Sequence, residues 1–416
     1  MTESAEARIS EVPTSAPPFF GLRLALANLG LFTALLTPVL VTLAVRIGEV
    51  APETKEASLG LVTAVGAFVA LVANPLFGRL SDRTTARFGR RRPWLVGGVL
   101  AGTAGLALIA LVPSVPVILL GWCLAQQAFN ATLASLTATI PDLVPPADRG
   151  RVSGAMGFSQ LAAVLLGSGV AALFPQAAAQ FLIPAAVAVV IITGFALTLP
   201  DHPAEPGLPA FSVREFLSSF WVNPVRHPDF GWAWLTRFLV VLGAFAAVPY
   251  LAFFLDDRIG VPRDRVVATV GLLAAMTYGL GALTAALGGW LSDKAGRRKP
   301  FVIGAAVLMA AAGVILATAH SLPMVVLAQA VGGIGTGLFF AVDLALVTQV
   351  LPSAGNAAKD LGVINVANAL PQSFGPAVAP ILLALGSGKN YTALYLFAAA
   401  AGLIGAALVT RIRSVP

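Results

Sequence analysis

Cysteine and histidine are nearly absent from this chain, with one Cys and three His in 416 residues. A lone Cys123 in an apolar run builds neither a disulfide framework nor a thiolate metal site. His202, His227 and His320 lie far apart in sequence, so no metal and no other cofactor is expected. Charge is scarce as well. Asp, Glu, Lys and Arg reach 11%, less than half the roughly 25% of a soluble globular protein. That excludes an ordinary water-soluble enzyme, and it excludes disorder, which needs high charge and low hydrophobicity. The patterns GxxxxGK[ST], HExxH and GxSxG are also missing, which argues against ATP-driven work and against catalysis within the chain.

What the chain has instead is apolar length, with 57% hydrophobic residues. Barrel strands alternate apolar and polar positions over about 10 residues. Here the apolar runs are unbroken for about 20, the length of a membrane-spanning helix. Twelve such runs are expected, at 22–45, 58–78, 94–113, 116–141, 152–174, 179–199, 230–255, 266–288, 301–319, 323–350, 361–385 and 392–410. The fold class is therefore all-α and membrane-embedded.

The longest connection splits the chain into two six-helix halves. The expected organisation is an N-terminal tail at 1–18, a first bundle at 19–199, a linker at 200–229, a second bundle at 230–410 and a tail at 411–416. Glu3, Glu6 and Glu11 in the first segment are unlike the basic start of a cleaved signal peptide. Phe211 to Trp221 in the linker fits a short amphipathic helix on the membrane surface.

Of the 26 Lys and Arg residues, six (Arg46, Lys55, Arg258, Arg263, Arg265, Lys389) fall on one side and Arg237 lies within a run. The other 19 share the side of both termini. Positive residues mark the cytoplasmic face, so both termini are expected in the cytoplasm of a multi-pass protein of the plasma (inner) membrane. The net charge of +7 then reports topology, and no nucleic-acid partner is expected.

The two halves repeat each other. After the second run stands Gly78-Arg79-Leu80-Ser81-Asp82-Arg83, then Gly89-Arg90-Arg91-Arg92-Pro93. After the eighth stands Gly289-Trp290-Leu291-Ser292-Asp293-Lys294, then Gly296-Arg297-Arg298-Lys299-Pro300. A second match, at a constant offset of 208, pairs Arg151, Gly154, Gln160 and Gly167 with Lys359, Gly362, Asn368 and Gly375. Such parallel duplication is expected of a transporter that rocks about a site between its halves. In these loops Gly is expected to permit tight helix contact and Asp to accept from a neighbouring helix N-terminus. The basic cluster is expected to hold the loop at the anionic leaflet.

These loops resemble the signature of the major facilitator superfamily, which implies twelve helices in two pseudo-symmetric bundles and secondary transport by one chain. The stretch from Asn74-Pro75-Leu76-Phe77-Gly78 to Pro93 is similar to the sucrose/proton symporter branch, as are Leu35-Leu36-Thr37-Pro38, Leu361-Gly362-Val363-Ile364-Asn365-Val366-Ala367 and Pro371-Gln372. The resemblance implies a sugar or glycoside as substrate and protons as coupling ion. It also implies a coupling Asp and a later Arg in the fourth helix. Gln127 and Thr137 stand there instead, and neither titrates near neutral pH.

The chain's own ionisable residues offer another engine. A charge deep in a span is costly and marks function by default. Asp343 is the acid well inside a run, and Arg237 is its basic counterpart. Each lies roughly 10–12 Å from the basic end at about 1.5 Å per residue, and the resemblance implies that helices seven and ten both line the central cavity, so the two are expected to pair. Either Asp343 exchanges a proton when Arg237 leaves it, or the pair permanently orients two helices. Amides suit a neutral polyol because they donate and accept. Gln126, Gln127, Asn130, Asn365, Asn368 and Gln372 are therefore substrate candidates, with Trp122, Tyr250 and Phe340 as stacking faces. Interhelical hydrogen bonding is the competing role for the amides. Gly98-x-x-x-Gly102 and Gly333-x-x-x-Gly337 read as helix-packing patterns. A proton-driven drug exporter is the alternative function. Such exporters usually carry Gly-x-x-x-Gly-Pro in the fifth helix, where Gly169 is followed here by Val170. A sensor or scaffold is the third class, disfavoured because both repeated loops are intact.

Overall fold

The computed structural model describes residues 16–174, 176–204, 212, 222–223, 226–350, 357–386 and 389–413. Within them the chain forms twelve long helices and no strand. In chain order these are α1 (Phe20–Val50), α2 (Pro52–Asp82), α3 (Arg92–Leu111), α4 (Val115–Leu143), α5 (Pro146–Leu173), α6 (Ala177–Thr198), α7 (Pro228–Ile259), α8 (Arg263–Ala295), α9 (Lys299–Thr318), α10 (Leu322–Gln349), α11 (Ala357–Leu383) and α12 (Tyr391–Val409). All but α11 are long and apolar enough to cross a membrane; α11 carries Asn365, Asn368, Gln372 and three prolines. The surface helix expected at 211–221 falls outside the described residues.

Proline sits in the first turn of α3, α4, α9 and α10, where its missing N–H costs nothing. Inside α1 and α7 it acts differently. Each of these helices is interrupted, by a wide turn at Pro38–Thr42 and a tight one at Val248–Tyr250, as expected where a proline removes a helix hydrogen bond. The expected glycine patterns do pack helices: Gly98 and Gly102 lie against Thr132 and Phe129 of α4, and Gly333 and Gly337 against Thr277 and Gly281 of α8.

In the first half α1 packs on α5 and α6, while α4 packs on α2 and α3. In the second half α10 packs on α8 and α9, and α12 on α7 and α9. The halves meet through α2 with α11 and α5 with α8. These junctions lie away from the basic loops. Gly60 of α2 abuts Pro376 and Pro380 of α11, and Gly271 of α8 abuts Ser168 of α5. The halves are thus closed against each other on the far side.

The repeated motifs are not loops. Gly78–Asp82 and Gly289–Lys294 continue α2 and α8 for more than a turn past the apolar runs, because hydropathy ends at the membrane edge and helical hydrogen bonding does not. The two glycines are also not close-contact points: a Cβ at Gly78 meets Ala134 only at 3.9 Å, and at Gly289 it meets nothing within 4 Å.

Candidate functional site

The structure brings Arg237 and Asp343 together. Arg237 Nη1 donates to Asp343 Oδ2, joining α7 to α10. Asp343 is 1% exposed and Arg237 9%. An uncompensated charge at that depth would be expensive, so the pair neutralises itself. The ring of Phe340, one turn before Asp343, lies 6.0 Å from the guanidinium, an orientation in which the π face favours the cation. Arg237 Nε is buried and makes no hydrogen bond. That unused donor keeps the guanidinium available to a second acceptor.

The amides divide into three groups. On α4, the Asn130 amide donates to Gln126 O (2.8 Å) and Gln126 Oε1 (3.3 Å), and Asn74 of α2 donates to Asn130 Oδ1 (3.4 Å). Gln126 and Asn130 are thus knotted to α2 through Asn74, a residue quoted above only for its resemblance. On α11, Asn365, Asn368 and Gln372 share one face by their spacing of three and seven. Asn365 and Gln372 are exposed, Gln372 Nε2 donates to Asn368 O at 3.0 Å, and Asn368 Oδ1 is buried without a partner.

Gln127 stands apart from both. One residue on from Gln126 is a rotation of about 100°. Gln127 is exposed and lines a separate crevice of about 340 Å³ with Phe77, Trp94 and Gly97, between α2 and α3. It shares no wall with Gln126 or Asn130.

Two of the expected stacking faces are already occupied. Trp122 is 1% exposed, wedged against Gly66 of α2. Tyr250 is fully buried, and its hydroxyl donates toward Pro376 O at 3.1 Å and Glu56 O at 3.3 Å. It closes the far side rather than offering a ring to a ligand, because the break at Pro249 turns it into the junction of α2, α7 and α11.

Beside Tyr250 is a charged contact that sequence reading did not find. Lys55 at the start of α2 meets both carboxylate oxygens of Asp257 in α7 at 2.9 Å. Lys389 adds a 2.8 Å contact and the Tyr391 hydroxyl a 2.7 Å donation to the same carboxylate. Bonding to Asp257 pushes the Lys389 ammonium above the ordinary lysine value. Lys55 and Asp257 are 202 residues apart, which no local pattern signals.

On the basic side both motifs make the same knot. Arg91 reaches Ser81 Oγ and Asp82 (2.6 Å). Arg298 reaches Ser292 Oγ (2.7 Å) and Asp293. The first half adds Asp142, held by Arg90 (2.8 Å) and Arg91 (3.1 Å). The expectation that Asp82 accepts from a helix N-terminus fails. Asp201, after α6, accepts from the backbone of Arg91 (2.7 Å) and Arg92 (2.9 Å) at the head of α3. Its carboxylate fills the space beside Gly89, whose φ of +104° suits glycine. Gly296, with φ +62°, ends α8 in the second half. Lys294 lies over the Trp290 ring at 5.2 Å. Arg83 and Arg297 belong to the same basic edge.

The family model described as Major Facilitator Superfamily matches residues 19–267 and 265–416. An uncharacterized MFS-type transporter of Mycobacterium tuberculosis is 25% identical over 372 residues, 84% of each chain. Other matches are local. An uncharacterized MFS-type transporter of Schizosaccharomyces pombe is 33% identical over 118 residues, and the chain spans only 26% of its length. The multidrug resistance protein MdtH of Aeromonas hydrophila is 35% identical over 115 residues, 28% of each chain. Among solved structures, the nucleoside transporter NupG superposes with a TM-score of 0.75 at 16% identity, over 94% of this chain and 98% of that one. The peptide transporter POT in complex with sulfate gives 0.72 at 15% identity, over 96% of each.

Proposed function

The chain belongs to the Major Facilitator Superfamily, a transporter and not an enzyme, and on that premise we propose that it moves a sugar or glycoside by alternating access coupled to protons. Asp343 is the proposed proton carrier and Arg237 its switch partner. The observation that carries the reading is their ion pair, buried within the spanning segments of α7 and α10.

The mechanism follows from the cleft. In the proposed cycle this state has the pair closed and the opening on the basic side, which we take, from its excess of Lys and Arg, to be the cytoplasmic face of the plasma membrane. For the far side to open, the Lys55–Asp257 contact and the Gly60–Pro376 junction must part. The bundles at 19–199 and 230–410 then rock as units, a movement one chain completes alone. If α7 and α10 shift during rocking, Arg237 leaves Asp343 and the bare carboxylate takes up a proton, since an uncompensated buried charge is costly. The exposed amides of α11 favour a neutral, hydrogen-bonding cargo.

Export of a lipophilic drug is the second reading, favoured by the local similarity to MdtH. Full-length protein in proteoliposomes, given labelled sugars and glycosides with and without an inward proton gradient, separates the two. Sugar-stimulated proton uptake supports symport. Drug-driven proton release supports export and contradicts symport.

A further inference from the structure

We infer that the second half holds a seat for an aromatic or heteroaromatic ring, so that the cargo is a ring-bearing glycoside; this rests on the glycoside reading above. The seat is a half-open cavity of about 140 Å³ lined by α7, α8, α9, α10 and α12. Of the residues around it only Leu40, at the wide turn of α1, comes from the first half. The cavity therefore abuts the junction of the two halves, where the transport path runs.

Its size admits one ring. A cavity of about 150 Å³ is known to hold benzene, whereas a disaccharide or a whole aryl glycoside needs more room. No Asp, Glu, Lys, Arg or His lines it, so the occupant is neutral. Leu40, Val248, Leu251, Met309 and Leu316 make much of the wall apolar. A pyranose would press hydroxyls against that wall on every side, and unpaired polar groups disfavour such a fit. A planar ring puts apolar faces on the wall and its polar atoms at one edge.

Polar groups are present for such an edge. Gln329, Thr336 and Tyr278 line the cavity. Tyr395 lines it too, is 3% exposed, and its hydroxyl has no hydrogen-bond partner. A buried tyrosine hydroxyl normally finds one. The ring's polar edge is met by Gln329, Thr336 and Tyr278.

The seat is also in register with the ion pair. On α10, Gln329, Thr336 and Asp343 recur every seven residues; on α7, Arg237 and Ala244 are seven apart, before the break at Val248–Tyr250. Seven residues advance a helix about 10.5 Å and return to nearly the same face. Cavity and pair thus occupy successive levels of the same two helix faces. A ring seated between α7 and α10 bears on the two helices whose separation opens the pair. The sugar then extends out of the cavity toward the cleft.

Titration calorimetry on the full chain in lipid nanodiscs tests this with phenyl and methyl glycosides of glucose, galactose and ribose. For the sugar that binds, the phenyl glycoside is expected at least tenfold tighter than the methyl one. Ala312→Leu, which fills the cavity, removes that advantage and leaves methyl affinity unchanged. Gln329→Leu, which adds no bulk, leaves phenyl binding intact but abolishes the further gain made by a pyridyl ring. Equal affinity of phenyl and methyl glycosides overturns the inference while methyl uptake still stands for the glycoside reading. Binding of none of the glycosides overturns both.

Discussion

The Lys55 ammonium lies 2.9 Å from both carboxylate oxygens of Asp257 and so ties the head of α2 to the end of α7, across the two halves, on the closed side of the cleft. The contact edges a far-side vestibule of about 470 Å³ that also holds Glu49, Asp256 and Asp264. Losing Lys55 leaves Asp257 with Lys389 but cuts the ionic link between the halves. In a Cys123→Ala background with Val45→Cys in the vestibule, Lys55→Ala is expected to raise labelling by an impermeant thiol reagent several-fold. The double exchange Lys55→Asp with Asp257→Lys should restore slow labelling. Unchanged labelling in Lys55→Ala would remove this pair from the gate.

Lys389 gives the same contact a pH dependence. Its ammonium is held above the ordinary lysine value by the hydrogen bond to Asp257. A raised value means the stabilisation is fully present below the ordinary value of about 10.4 and is lost as pH climbs through the raised one. Thermal unfolding of the reconstituted protein should therefore show no Lys389-dependent change near neutrality and a decline at strongly alkaline pH. Lys389→Met should have a smaller alkaline decline.

Gly60 separates conformational equilibrium from stability. A Cβ there would stand 2.5 Å from Pro380 Cγ and 2.7 Å from Pro376 O and the Tyr250 hydroxyl, all in the other half. Gly60→Ala should push the halves apart on the far side, raising labelling of Val45→Cys. Gly98→Ala clashes inside the first half, with Thr132 and Ala128. It should lower the melting temperature, by overpacking worth about 1–3 kcal/mol, without altering that labelling.

The two basic-side knots should differ in strength. Arg91 is 3% exposed and holds Ser81, Asp82 and Asp142. The side chains of its partners Asp82 and Asp142 are 54% and 22% exposed, and Asp142 keeps Arg90. Removing Arg91 therefore costs less than the roughly 3–5 kcal/mol of a fully buried pair. Arg298 pairs with Asp293, whose side chain is 66% exposed, and surface pairs contribute about 0–1 kcal/mol. Denaturation should show Arg91→Ala losing more stability than Arg298→Ala.

The helices were legible because each must present about 20 apolar residues to lipid. Their ends were not, since Gly78–Asp82 and Gly289–Lys294 stay helical after hydropathy has dropped. The Arg237–Asp343 contact was legible for an energetic reason: two charges in apolar runs at equal depth have little else to pair with. Facing was harder. Gln126 and Gln127 are adjacent in sequence, yet Gln126 is buried and Gln127 lines a crevice, because α4 is open toward the gap between α2 and α3. Tyr250 looked like a binding aromatic until Pro249 was seen to turn it into the junction. Asp82 and Asp201 are both acids near basic clusters, and only the return of the chain after α6 decides which caps α3. The seven-residue series on α10 was there to be read, but its meaning depends on the cavity beside it.

The central claim is that Asp343 carries the coupling proton, and Asp343→Asn tests it most directly. The amide keeps the shape and a hydrogen bond to Arg237 but cannot exchange a proton at physiological pH. Proteoliposomes of that variant should fail to accumulate a transported glycoside against its gradient under an imposed proton gradient, while exchanging labelled for unlabelled glycoside at near wild-type rate. Wild-type accumulation by Asp343→Asn would contradict the account.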